Sequence, residues 1–397
     1  GTGKRLKLAE ARPTEPGASV PAPMAASGTR SSPEISLILQ GRYADRKDGE
    51  RHVTGFLPAG HGHGSERGFS LDHTELTLAS NIDPYLRGYA NLALADGEVD
   101  VEEAWFQTLG LGHGITLKGG RFLSGIGYAN ELHPHAWDFA DTSLMYQVLF
   151  GEQFAQDGVQ MKWIAPTDRF LELGVELGRG NNFPGSEEGG NRNSFGAWSA
   201  FAHTGGDVGD SSSWRAGVSY LRARPKDRES EIEFDDEHLD VLFSGTSEAW
   251  LADFVWKWAP DGNPRTRNFK FQTEYFRRKE LGDMLCLGGA CTDDASPYRA
   301  RQSGWYAQGV YQFVPRWRLG LRYDRLDSGS VDFSHLPIQA EVYTPTRWSL
   351  MADYSPSEYA RFRLQLARDR AMAGNPDDSQ LTLQYIHALG AHGAHRF

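Results

Sequence analysis

Residues 316–325 read RWRLGLRYDR, and this decamer decides the class of fold. Trp317, Leu319, Leu321 and Tyr323 fall on one face of an extended chain, because successive side chains of a strand point to opposite sides. Arg316, Arg318, Gly320, Arg322 and Asp324 fall on the other. The scheme returns at 361–370, RFRLQLARDR, where Phe362, Leu364 and Leu366 oppose Arg361, Arg363 and Gln365. It returns again at 347–354, RWSLMADY, with Trp348, Leu350, Ala352 and Tyr354 against Arg347, Ser349 and Asp353. A soluble sandwich also alternates, but its polar face mixes Lys, Glu and Thr toward bulk water. Guanidinium groups on one face, with aromatics near the ends of the other, fit a wet lumen inside and an aromatic-girdled lipid face outside.

The whole chain supports that reading. Of its 397 residues 39 % are hydrophobic, yet no stretch approaches the roughly 20 apolar residues a transmembrane helix needs. The 45 glycines and 12 % aromatic residues instead suit a membrane β-barrel, in which only every second strand residue meets lipid. A net charge of -11 argues against a nucleic-acid partner, which would require a basic face. Cys286 and Cys291, in CLGGAC, suggest a loop-closing disulfide formed in an oxidising compartment, with a pair of free thiols as the alternative. Two cysteines are too few for a structural zinc site. Residues 1–34 read as a flexible Pro/Ala-rich leader, beginning with what looks like a cloning scar (GTGKRLKLAE), and 35–397 as the barrel.

Connections alternate in length. Short turns such as SNIDPY, APTDR, FVPRW and YSPSEY alternate with longer polar segments at 48–66, 126–157, 181–193, 225–247, 281–302 and 328–345, and with shorter ones at 95–98 and 371–378. Strands are expected to start near residues 35, 67, 84, 99, 115, 158, 169, 194, 213, 248, 266, 303, 316, 346, 359 and 379. The expected fold is all-β: a transmembrane antiparallel barrel of about sixteen strands, with fourteen and eighteen left open. Alternation is weakest near 99 and 158. An even count puts both termini on the side of the short turns, the periplasmic side of an outer-membrane barrel.

Over residues 67–125 the succession FSLDHTELTLAS, YLRGYANLAL and VEEAWFQTLGLGHGITLKGGRF resembles the early strands of Gram-negative outer-membrane porins of the phosphate-selective superfamily. The ending GAHGAHRF is similar to that of a porin-like branch described as zinc-regulated. The resemblance implies the cell outer membrane of a Gram-negative bacterium, passive diffusion of small hydrophilic solutes, and a homotrimer. It also implies contact with outer-membrane lipid and lipopolysaccharide, and a barrel-assembly machinery that reads Phe397 as its signal. A long third loop folded into the lumen is implied too, and 126–157 matches it in length and place. Its segment YANELHPHAWDFADTSLMYQVLFGEQF departs from the lysine-rich constriction of phosphate channels. It carries Glu131, His133, His135, Asp138, Asp141 and Glu152, and no Lys or Arg.

The candidate pore-lining residues are Arg87, Arg316, Arg318, Arg322, Arg361 and Arg363. Loop acids facing them would favour cations and orient dipolar solutes, or would serve only to hold the loop against the wall. Two HxH pairs stand out, His61 with His63 and His133 with His135, since residues i and i+2 of an extended segment project to one side. They could bind zinc or another divalent ion transiently, with Glu131 or Asp138 completing the site; no cofactor is required. His392 and His395 would extend a metal path to the other end. The reading is a porin for small solutes, including divalent metal ions such as zinc or their complexes. The alternatives are a metal-binding surface receptor or scavenger and a phosphate-type anion channel. Enzymatic activity is not expected, because no nucleophile motif stands out.

Overall fold

The computed structural model describes residues 33–47, 52–58, 67–95, 98–234, 237–288, 291, 294–374 and 377–390. Residues 1–32 of the expected leader, His61, His63, His392, His395 and Phe397 lie outside the described residues.

The chain opens with β1 (Glu34–Asp45), β2 (Gly68–Ser70), β3 (Thr74–Asn81), β4 (Leu86–Ala95), β5 (Glu98–Thr108) and β6 (Ile115–Leu123). It continues through β7 (Ala155–Ile164), β8 (Phe170–Gly178), β9 (Ala197–Val208), β10 (Ser212–Ala223), β11 (Arg228–Phe234) and β12 (Glu237–Trp258). The last six strands are β13 (Asn268–Leu287), β14 (Ala295–Val314), β15 (Trp317–Asp332), β16 (Thr346–Ser357), β17 (Ala360–Arg370) and β18 (Asp378–Gly390). Both β2 and β3 pair with β1, through Tyr43↔Phe69 and Ser36↔Thr77, so they are one strand interrupted at 71–73. Likewise β10 and β11 both pair with β12, interrupted at 224–227. The eighteen segments therefore form sixteen antiparallel staves. The sheet closes where β1 meets β18, from Ser36↔Gly390 to Asp45↔Leu381, and closure leaves no edge for stray pairing.

Burial along each stave is inverted relative to a soluble protein. On β15, Arg322 is 2 % exposed and Asp324 is fully buried, while Leu319 and Leu321 are about half exposed. On β16 and β17, Asp353 and Arg363 are buried, whereas Trp348, Leu350 and Phe362 stand open. The outer face is thus apolar and the inner face charged. Aromatic pairs mark its borders: Trp317 with Tyr354 and Phe362 with Tyr385, ring centroids 4.7 Å apart, and Tyr323 with Trp348, 4.4 Å apart. Trp317 and Tyr323 lie six residues apart, roughly 20 Å along a strand, with Leu319 and Leu321 between them. That spacing suits the apolar band of a membrane barrel.

Two segments read as polar loops are largely strand, and a third begins as one. β12 runs 22 residues and β13 and β14 run 20 each, so 225–247 and 281–302 are mostly wall, and β15 persists to Asp332. The reason is a second interior cluster at the long-loop end. There Leu239, Val241, Phe243, Met284, Tyr298 and Ala300 pack with Leu57, Phe333 and Ile338. Their two-residue period is diluted by charged neighbours and hides in composition. Cys286 belongs to this cluster and is bonded to Cys291.

The segment 124–154 lies against the inner wall. Its one α-helix, α1 (Leu144–Phe150), starts at Ser143, whose side chain accepts from the Tyr146 N–H, and ends at left-handed Gly151. Leu144, Met145, Leu149 and Phe150 are buried with Phe276, Tyr306 and Leu326 of the wall. The helix carries apolar residues around most of its surface, so it cannot face water.

Candidate functional site

The lumen site grows from the way 124–154 is fastened. Gly125 N–H donates to Glu176 Oε1 (2.8 Å) and Gly127 N–H to Ser219 Oγ (3.1 Å). Tyr128 and Ala129 N–H both donate to Glu274 (3.0 Å each), whose carboxylate also accepts from Tyr146 Oη (2.8 Å). Gly127 has φ +68, and a Cβ there would meet Glu274 Oε2 and Tyr146 Oη at 2.5 Å. Glycine is required where the chain turns off β6 into the lumen.

Beyond this turn the segment touches two opposed stretches of wall. On the cationic flank, Asp138 pairs with Lys270 and with Arg318 (3.2 Å). Asp141 pairs with Arg322 (2.8 Å) and Arg347 (3.0 Å). Arg363 donates to the Trp137 carbonyl (2.8 Å), Arg361 to that of His135 (3.3 Å) and Arg347 to that of Thr142 (2.6 Å). Wall acids complete the network, with Asp353 on Arg363 (2.9 Å) and Asp324 on Arg322 (3.0 Å). Burial pushes the Asp138 and Asp141 carboxyls up, but Lys270 and Arg318 beside one, and Arg347 and Arg322 beside the other, hold both below the usual carboxylate range.

On the acidic flank, the wall presents Glu75 from β3 and Glu102 and Glu103 from β5. Consecutive strand residues normally point to opposite faces, but the register here shifts. Asn91 pairs with Glu103 and Leu92 with Val101, leaving Glu102 as an extra residue. This bulge turns two adjacent carboxylates toward the lumen side. Onto them the short 3₁₀ turn Pro134–Ala136 and its flank lower His133 and His135, rings 6.0 Å apart and nearly parallel. His133 Nε2 lies 2.9 Å from Glu103 Oε2, His135 Nδ1 lies 2.8 Å from Glu75 Oε1, and His73 Nε2 lies 2.8 Å from Glu102 Oε1.

Between β1, β18 and the β16–β17 turn there remains a cavity of about 230 Å³, whose walls include Ile38, Ile386, His135 and Arg361.

The sequence-chosen residues divide accordingly. Arg318, Arg322, Arg361 and Arg363 line the inner face, but each is engaged by the lumen segment or by wall acids. Arg316 does not line a pore: it sits in the turn between β14 and β15, exposed, at φ +74. Arg87 lies beside the turn at 82–85, 3.5 Å from Glu34. His133 and His135 come together, but Glu131 and Asp138 do not join them. Glu131 is drawn to Lys162 (2.9 Å) and Asp138 to Lys270 and Arg318, because cations on the wall compete for both carboxylates. Sequence reading missed Glu75, Glu102, Glu103 and His73. The doublet Glu102–Glu103 in an otherwise alternating strand was the available signal.

No protein-family profile matches the chain. An uncharacterized protein of Aquifex aeolicus (strain VF5) is 32 % identical over 394 residues, spanning 92 % of this chain and 80 % of that one. The chain belongs to that protein's family. Among solved structures, it is similar to OmpT of Vibrio cholerae in its trimer form (TM-score 0.55, 11 % identity, 90 % of this chain and 99 % of that one). Similar too are OprB of Pseudomonas putida (0.52, 12 %, covering 90 % and 94 %) and an anion-selective porin of Comamonas acidovorans (0.52, 9 %, covering 91 % and 100 %). These likenesses carry the fold: this chain has a sixteen-stranded barrel like those of outer-membrane porins.

Proposed function

We propose that the chain is an outer-membrane channel for passive diffusion of small hydrophilic solutes, narrowed by residues 124–154. The observation that carries this is the inverted barrel, apolar outside and charged within, with one segment fastened across its lumen by wall carboxylates and guanidiniums. Such a barrel is soluble only in lipid, and its interior is wettable. In the proposed orientation the long loops face outward and both ends of the barrel chain face the periplasm of a Gram-negative cell. A homotrimer is the proposed assembly, and the barrel-assembly machinery its route into the membrane. The arginines argue against a phosphate-type anion path, since Arg318, Arg322 and Arg363 already answer Asp138, Asp141 and Asp353.

The test is planar-bilayer recording of the folded chain. We expect discrete conductance steps, and larger ones when 129–142 is excised with a short glycine linker. A folded, inserted barrel that passes no ions in either form would overturn the reading.

A further inference from the structure

We infer that Glu75, Glu102 and His133 form a binding site for a first-row divalent transition-metal ion of the zinc type, tying the lumen segment to the wall. One ligand atom from each lies within 4.8 Å of the others. His133 Nδ1 is 3.5 Å from Glu102 Oε2 and 3.7 Å from Glu75 Oε2. Tetrahedral ligands at zinc distances stand roughly 3.4 Å apart, so these side chains need only small shifts to close on an ion.

Asn91 sits at the focus of these three atoms. Its Nδ2 lies 3.1 Å from Glu75 Oε2, 2.9 Å from Glu102 Oε2 and 3.1 Å from His133 Nδ1. An amide nitrogen carries two hydrogens, and three acceptor atoms face it. One acceptor therefore goes without a hydrogen, or a protonated ring opposes the amide's own donors. Asn91 itself is fully buried, while His133 and Glu102 keep 14 % and 20 % of their side chains exposed, an approach for an ion. A cation between the amide and these three atoms satisfies all three lone pairs at once. Rotation of the Asn91 amide would then offer Oδ1, which now accepts from Thr77 Oγ1 (3.0 Å), as a further oxygen ligand.

Each prospective ligand also has a partner behind it, the arrangement that orients metal ligands. Glu103 holds His133 at Nε2, leaving Nδ1 toward the focus; His135 holds the far oxygen of Glu75; His73 holds the far oxygen of Glu102. The β-bulge that brings Glu102 and Glu103 to one face is what makes both roles available from a single strand. One imidazole with two carboxylates selects zinc, cobalt or nickel over calcium and magnesium, which prefer all-oxygen shells.

Metal binding stands apart from conduction; that the ion lies on the solute path rests on the channel reading. The test is titration of the full-length, detergent-folded barrel with Co²⁺, followed by its visible absorption, and competition by Zn²⁺, with Ca²⁺ as control. We expect a Co²⁺ spectrum displaced by Zn²⁺ and not by excess Ca²⁺. Glu102→Gln and His133→Gln should each weaken it at least tenfold, and His387→Ala, on the outer face, should leave it unchanged. Heat-modifiable gel mobility identifies the folded variants, and Asn91→Asp, which adds a ligand in place, should tighten binding. A spectrum unaltered in folded Glu102→Gln and His133→Gln would overturn the site. Bilayer recording of the same samples separates the two ideas. A barrel that binds Co²⁺ through Glu102 but passes no ions upholds the site and removes the channel.

Discussion

The two flanks of the lumen segment are both built from charged groups and end in opposite conditions. On the cationic flank every carboxylate of the segment meets a guanidinium or ammonium, and spare guanidinium hydrogens reach backbone carbonyls. On the acidic flank three wall carboxylates meet three imidazoles and one amide, and the two hydrogens of Asn91 Nδ2 face three ligand-type atoms. The first arrangement pairs every segment carboxylate on its flank with a cation and fixes position, with only Arg347 Nε and Arg361 Nε short of a hydrogen-bond acceptor among the guanidiniums of that flank. The second is where we place a bound cation. Charge content alone does not separate a latch from a site; the balance of donors and acceptors does.

The largest effect should come from opening the latch. Arg322→Met removes the group shared by Asp141 and Asp324, of which the wall residue Asp324 is fully buried and Asp141, on the segment, is half-buried. Leaving a buried carboxylate short of its partner costs about 3–5 kcal/mol. We expect a lower thermal midpoint of the folded gel band and noisier, larger conductance steps. Adding Asp324→Leu should recover part of the loss. If the single variant is as stable and as quiet as wild type, the cationic flank does not hold the segment.

Next comes the hinge both flanks share. Gly127→Val places a β-branched side chain at φ +68, with its Cβ against Glu274 and Tyr146. The backbone strain alone is on the order of 1–3 kcal/mol. The expected outcome is a folded barrel whose segment is displaced, detected as protease cleavage within 128–142 that wild type resists.

How far these features were legible in the sequence follows from the range of the interactions involved. Alternation such as Trp317, Leu319, Leu321 against Arg318, Arg322 is local and survives in composition, so strand starts at 115, 170, 317 and 346 fall within about a residue of the expected ones. The extended walls of β12 to β14 were hidden because their inward residues, Val241, Phe243 and Met284, stand among Asp240, Ser244 and Asp283 in stretches that read as polar loop. His133 and His135 were legible as a pair because their relation is two residues long. Their true partners were not. Glu75 and Glu102 lie 58 and 31 residues upstream of His133, and only barrel closure and a bulge bring them under it. Glu131 and Asp138, adjacent in sequence, were claimed by Lys162, Lys270 and Arg318 from distant strands.

A smaller change sharpens the contrast from the acidic side. Glu103→Gln keeps size and one acceptor oxygen toward His133 while weakening what orients that ring. Loss of such an outer partner lowers metal affinity by about 10–100-fold. Thermal stability without metal should move little, because the glutamate that remains most buried, Glu75, keeps both its partners. A variant that loses stability but keeps its Co²⁺ affinity would make this flank a second latch.

The least effect is expected from acid on the cationic flank. Burial acts to raise the Asp138 and Asp141 carboxyls, yet neighbouring Lys270, Arg318, Arg347 and Arg322 hold them below the usual range. A carboxyl depressed on folding contributes stability that is complete above its unfolded value, near 4, and is lost as pH falls through the lower folded value. Between pH 7 and about 5 both groups stay ionised in folded and unfolded chains alike, so the latch should not weaken. The difference in thermal midpoint between wild type and Asp141→Asn should therefore be the same at pH 7 and pH 5, and should shrink only in stronger acid. If it has already collapsed at pH 5, the guanidiniums do not reach Asp141 in the membrane-embedded barrel.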